Sequence, residues 1–432
     1  MTERLLSNDG NWSKPKKLLT LFVIFYLLLY MFPFPLGSIP LVGSLSRYYG
    51  QAIDLVSFWA GKHILHIDNL VKSRGESIFN YVQLFSIAFL SVLIASFVLL
   101  INKKRKNYDR LYHWSIVYAR YYLAYKMIYY GLVKITGVQF PFPGPIRLEQ
   151  TFGEASPMVL LWTFMGYSKA YTLFAGIGEI VGGYLLIFNK TKAIGALIAI
   201  TVMSNVVMMN FSYDVSVKIL STHLLLIAFF VFSPDIKRVI DFFFFQKTIA
   251  LTNVTNQFNR KWMRISRVVL KSILIIGFSI EMIFDNFQQM HEYGSLAAKP
   301  PLYGVYETEN FIMSNDTSIA LATDTVRWKK MMFDEHNYLK IITMADSSIL
   351  CKTAIDTMKK TLDVTIYKDT ISYKFEYTER PDNYLTISGK WRGNHVLITF
   401  KKKNLENYRL SDRGFPGFHW IKRDQSPIWF IR

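Results

Sequence analysis

Long apolar runs constrain this 432-residue chain more than any other feature. A helix rises ~1.5 Å per residue, so crossing a hydrocarbon core of ~30 Å takes ~20 residues with few charges. Stretches of that kind fall at 18–36, 79–101, 113–136, 170–188, 194–213, 216–233 and 267–284. Met158–Phe164 is apolar but too short to span, and is expected at the interface or as a re-entrant segment. The expected fold is an α-helical polytopic membrane protein of about seven transmembrane helices with a four-helix-bundle core.

Basic residues set the expected orientation. Fifty Lys and Arg face 31 Asp and Glu, a formal charge of +19, but they gather in short segments between apolar runs. That distribution suits contact with membrane lipid rather than nucleic acid, which needs a basic face on a folded domain. Lys14, Lys16 and Lys17 precede the first run, which is too long for a cleaved signal peptide and lacks a small-residue cleavage site. Lys103, Lys104, Arg105, Lys106 and Arg110 follow the second run, Lys190 and Lys192 the fourth, and a basic stretch at 234–266 the sixth. By the positive-inside rule these loops and the N-terminus are cytoplasmic. Seven crossings then put the C-terminus outside the cytoplasm.

The exterior loop at 37–78 includes Ala52–Ile67, with apolar residues at helical spacing, expected as an interfacial helix. His63 and His66 in it lack a third ligand nearby, so no metal site is expected. Cys351 is the one cysteine, which rules out an intrachain disulfide. From Tyr303 onward the pattern changes to period-two alternation, clearest in Leu362–Tyr367, Thr370–Tyr377, Tyr384–Trp391 and His395–Lys401. Ser318–Ala322 and Tyr338–Met344 are earlier candidates. About eight strands in some 130 residues predict an all-β small barrel or sandwich. It could hold an apolar ligand, cover the mouth of the membrane bundle, or dock a partner through the aromatic segment Arg413–Trp420. The expected division is 1–112, N-terminal helices; 113–236, a four-helix unit; 237–299, a cytoplasmic segment and last helix; and 300–432, the β domain.

Ionisable residues inside the apolar runs are the candidate site, because a charge at mid-bilayer costs ~2.5 kcal/mol or more and asks for a partner. They are Arg120, Lys126, Lys134, Glu179 and His223, with the amide of Asn205. Lys126, Glu179, Asn205 and His223 sit near the midpoints of four consecutive runs and could converge in one bundle. Helical periodicity puts Lys134 and Lys126 on different faces, so both cannot meet Glu179 squarely. A structural ion pair, a proton-handling or quinone site, and an ion-coupled transporter are all compatible with this set. Asp214 and Lys218 form an i, i+4 pair at the start of an exterior-side helix.

Residues 113–236 resemble the DoxX-like membrane proteins. The resemblance rests on Arg120, Gly131-Leu132-Val133-Lys134, Gly178-Glu179 with Gly182-Gly183, and the turn Asn189-Lys190-Thr191-Lys192. It ends with Asp214, Lys218, Ser221, His223-Leu224-Leu225-Leu226 and Ser233-Pro234-Asp235. It implies a four-helix membrane bundle, and by analogy a quinone-binding subunit of a membrane oxidoreductase system with a redox protein partner. The chain departs from a minimal member by adding two helices before the unit, one after it, and the β domain. The other reading is a non-catalytic envelope assembly protein that binds another envelope component.

Overall fold

The computed structural model describes residues 11–36, 44–73, 75–247, 261–294, 296–314, 321, 323–369 and 371–411. The strand expected at Ser318–Ala322 lies, apart from Leu321, outside the described residues, as does Arg413–Trp420. The chain forms two compact units: 1–135 with 173–287, and 136–172 with 288–432.

The helices are α1 (Lys14–Met31), α2 (Ser44–His63), α3 (Ile78–Ile101), α4 (Asp109–Ile135), α5 (Pro145–Leu148), α6 (Pro157–Tyr167), α7 (Lys169–Ile187), α8 (Lys192–Ser212), α9 (Lys218–Phe232), α10 (Ile236–Phe243) and α11 (Lys261–Glu292). Three of them, α3, α7 and α8, are long and apolar enough to cross a membrane, and α9 with α10 qualifies as a pair bent by 72°. Charges interrupt the apolar windows elsewhere: α1 opens on three lysines, and α4 carries Asp109, Arg110, Arg120, Lys126 and Lys134. The outward faces are apolar too. Phe97, Leu100 and Ile101 on α3 and Phe174 on α7 are exposed, the reverse of a water-facing helix.

The main core of the first unit joins several of its helices. Leu27 and Met31 of α1 meet Ala119, Leu123 and Met127 of α4, Ala196, Ala199 and Met203 of α8, and Leu224, Ile227 and Val231 of α9. Small residues set the approach of α4 to α7. A Cβ on Gly131 would stand 2.7 Å from the Gly176 carbonyl oxygen, and one on Gly183 would stand 3.0 Å from that of Ala124. Glycine at these positions lets the backbones touch.

The second unit is built on a closed barrel of eight antiparallel strands in chain order. They are β1 (Gly304–Met313), β2 (Trp328–Phe333), β3 (Tyr338–Thr343), β4 (Ser348–Asp356), β5 (Thr361–Ile366), β6 (Ser372–Arg380), β7 (Tyr384–Trp391) and β8 (Asn394–Lys403). β1 closes on β8, with Val305 opposite Lys403 and Met313 opposite Val396. Of the two expected architectures the barrel is the one formed. Its interior is filled: Trp328, Phe333, Phe375, Trp391 and Phe400 are buried, with Trp328 edge-on to Trp391 at 5.1 Å. An eight-stranded barrel is just wide enough for side chains to fill. The β7–β8 turn is a two-residue hairpin with Arg392 at φ 49° and Gly393 at φ 90°, the left-handed geometry that matches strand twist. Gly389 lies opposite Phe375, whose ring comes within 2.7 Å of where a Cβ would stand, so the aromatic covers the glycine.

Residues 136–172 are fastened to this barrel by charge. Glu149, next to α5, accepts from Lys330 of β2 at 2.7 Å, from Lys403 of β8 at 2.9 Å, and from the Tyr408 hydroxyl. Glu307 of β1 also pairs with Lys330, at 3.2 Å. Burial alone would raise the Glu149 carboxyl, but the hydrogen bonds from Lys330, Tyr408 and Lys403 outweigh it and hold it at about 2. Nearby, Asp334 accepts from the Ile146 amide at 3.0 Å.

Candidate functional site

The ionisable residues of the helical unit sort into separate centres. The glycine contact between α4 and α7 puts Lys134 beside Glu179: Nζ lies 2.9 Å from Oε1 and 3.0 Å from Oε2, with both side chains buried. Lys126 faces aromatic rings, its Nζ 5.9 Å from the Tyr122 centroid and 5.8 Å from that of Tyr125. Arg120 reaches the other end of α7 and donates to Asn189 in the α7–α8 turn. Asn205 is exposed, and the buried asparagine of α8 is Asn210. Four midpoints at similar depth thus do not make one cluster, because depth says nothing about which way each helix faces.

His223 forms a second centre, with α1. Its Nδ1 lies 2.7 Å from the Ile219 carbonyl oxygen and its Nε2 lies 2.7 Å from the Tyr26 hydroxyl. A carbonyl only accepts, so Nδ1 carries a proton; in the neutral ring Nε2 then accepts from Tyr26. Tyr30, one turn on from Tyr26, stacks on the imidazole with centroids 4.0 Å apart at 14°. Neither tyrosine is among the residues expected from sequence. Their signal is a run of rings at i, i+4 on one face of α1, Phe22, Tyr26 and Tyr30.

Tyr30 also lines a cavity of about 350 Å³ between the end of α1, α2, the start of α3 and the start of α9. Its polar wall comprises Tyr30, Tyr49, Glu76, Asn80, Gln83 and Ser216, and among the described residues no lysine, arginine or histidine lines it. The Tyr49 hydroxyl donates to the Leu29 carbonyl at 2.5 Å, and Gln83 donates to Asp54 at 3.1 Å. Glu76 precedes α3 and reaches the first turn of α9, where its Oε1 accepts from the Ile219 amide at 2.5 Å. A carboxylate suits that helix end. Its Oε2 is buried with no hydrogen-bond partner among the described residues. Asp214, ahead of α9, and Lys218, its first residue, form the expected ion pair at 2.6 Å. The cavity has the size of a small-ligand site, with apolar walls and a few convergent polar groups.

Comparison with known proteins adds a relationship by sequence. Over 124 residues the chain is 34% identical to the uncharacterized protein YwoB of Bacillus subtilis (strain 168), a match covering 29% of this chain and 79% of that protein. The chain belongs to the family of YwoB. More than two thirds of the chain lies outside the match with YwoB. No family model matches the chain, and no solved structure matches it.

Proposed function

We propose that the chain is a multi-pass protein of a bacterial inner membrane whose helical unit is DoxX-like and binds a quinone headgroup in the cavity beside Tyr30. The observation that carries this is the double role of Tyr30, which forms cavity wall on one side and stacks on His223 on the other. A quinone carbonyl accepts hydrogen bonds, and the Tyr30 hydroxyl, the Asn80 and Gln83 amides and Ser216 are the donors in reach of the space. His223 and Tyr26 then hold a proton behind that wall, and a membrane redox partner supplies electrons. The Lys134–Glu179 pair closes on itself, which fits a clamp between helices rather than a ligand site.

Seven crossings and an exterior barrel are supported by parity. Residues 136–172 and 288–432 share one compact unit, so the segments leaving α4 and α11 face one compartment. An even number of crossings must separate them. With α7, α8 and the bent α9–α10 pair as three, α11 supplies the fourth. α1, α3 and α4 then put the Lys-rich N-terminus on the opposite, cytoplasmic side. In the alternative reading the chain is an envelope assembly protein that binds a partner through its barrel, whose filled interior leaves the outer surface for that work.

The full chain, purified in mild detergent, is titrated with a short-chain menaquinone analogue while its aromatic fluorescence is followed. Saturable quenching is expected, with Tyr30→Ala weakening binding at least tenfold and the paired change Lys134→Met, Glu179→Met leaving it unaltered. A wild-type chain that shows no saturable binding and carries no quinone by mass spectrometry sinks the proposal.

A further inference from the structure

α10 is amphipathic in a way that nothing described so far uses. Ile236, Val239, Ile240 and Phe243 recur at i, i+3, i+4 and i+7 and form one face, while Lys237, Arg238 and Asp241 form the other. Phe244 and Phe245 follow directly. The aromatic residues are out in the open: Phe242 is 55% exposed, Phe243 69%, Phe244 80% and Phe245 62%. Four successive phenylalanines presented to water would be an aggregation liability.

Three further observations say what covers this face. α10 turns 72° from α9, the direction change of a helix that leaves a span and runs along its surface. α9 has 15 residues, ~22 Å of helix, against a hydrocarbon core of ~30 Å, so α10, turned 72° directly after it, starts at the boundary of that core rather than far beyond it. The surroundings are basic. Lys190, Lys192, Lys237, Arg238 and Lys247 outnumber Asp235 and Asp241, and those two acids are already held, Asp235 by Arg238 at 3.0 Å and Lys192 at 3.6 Å, Asp241 by Lys247 at 3.2 Å.

We infer that α10 with Phe244 and Phe245 is an in-plane anchor at headgroup depth. Its rings enter the acyl boundary, and Lys190, Lys237 and their neighbours contact anionic lipid phosphates of the leaflet on that side. This rests on the helical unit being membrane-embedded.

Nitroxide labels on the full chain in lipid nanodiscs test it. Phe243→Cys and Ile240→Cys report the apolar face, Lys237→Cys the polar face, and Leu226→Cys on exposed α9 the span; native Cys351 is buried in the barrel. Labels at 240 and 243 are expected to be accessible to oxygen at shallow depth, and the label at 237 to an aqueous nickel chelate. Lys190→Gln with Lys237→Gln is expected to lower the phosphatidylglycerol retained per protein, against phosphatidylcholine, at least twofold. If 240 and 243 are open to nickel like 237, or shielded from both reagents by protein, while 226 stays oxygen-accessible and deep, the anchor is refuted and the membrane reading stands. Nickel access at 226 refutes the membrane reading itself. Unchanged lipid retention in the double variant overturns the anionic preference.

Discussion

Glu76 and His223 hold the same residue from two sides: Ile219 donates its amide to Glu76 at 2.5 Å and offers its carbonyl to His223 Nδ1 at 2.7 Å. The first turn of α9 is thereby fixed between a residue ahead of α3 and an imidazole packed on α1. Removing the acceptor should loosen that turn. Glu76→Ala is expected to cost about 1–2 kcal/mol and to speed amide exchange in the peptide covering 216–224, whereas Glu76→Gln keeps an acceptor and stays near wild type. Equal protection in Glu76→Ala and wild type would show that this contact does not order α9.

The Lys134–Glu179 pair should behave as a buried pair does. Lys134→Met or Glu179→Met alone strands a charge among apolar neighbours and is expected to destabilise by about 3–5 kcal/mol. The double change should recover most of that loss. A double-mutant cycle in detergent denaturation checks it, and additive losses would contradict the pairing.

Glycine contact makes a sharper contrast. Gly131→Ala drives a Cβ against the Gly176 carbonyl and is expected to cost about 1–3 kcal/mol. Gly178→Ala, on the side of α7 that faces α8, meets Val202 at an ordinary 3.6 Å and should be tolerated. Thermal stability of the two variants side by side separates a backbone contact from a general preference for small residues.

Acid should release residues 136–172 from the barrel. The folded Glu149 carboxyl lies below its ordinary value, so its contribution is complete above about 4.5 and is lost as pH falls toward about 2. Proteolysis of 136–172 at successively lower pH, with an acid-tolerant protease, is expected to accelerate across that window. Glu149→Gln should be cleaved faster at neutral pH and lose the acid step. No acceleration in the wild type would show that the cluster does not fasten the segment.

Cys351 should report barrel integrity. Burial pushes its thiol up to about 11 and hides the sulfur, so an alkylating reagent at mildly alkaline pH is expected to label it only when the barrel opens. Fast labelling of the native chain would mean that β4 frays.

Strands β5 to β8 were legible because their inward positions are large and apolar at period two, as in Tyr384–Trp391, whose bounds match. β4 was not, because the residues it turns inward include Cys351 and Thr353. β2 hides its pattern by burying Met331, Met332 and Phe333 in succession. In the helical unit the helix faces show that Lys134 and Lys126 cannot both meet Glu179 but leave open which does; the structure makes the pair with Lys134. Depth along each run is readable in sequence, but the neighbour that each face meets is not, so Lys126, Glu179, Asn205 and His223 could converge by depth, while in the structure His223 meets two tyrosines of α1. A carboxylate in a loop, such as Glu76, has no sequence pattern until α9 is beside it.

The clasp on Glu149 has an order of events built into it. Lys330 follows Glu149 by 181 residues and Lys403 follows it by 254. On the ribosome the acidic loop is therefore finished while the six helices α6 to α11 and the whole barrel are still unmade. β1, likewise, cannot meet β8 until the final strand has left the exit tunnel. The barrel and its loop therefore lock together only after every helix of the chain has been made.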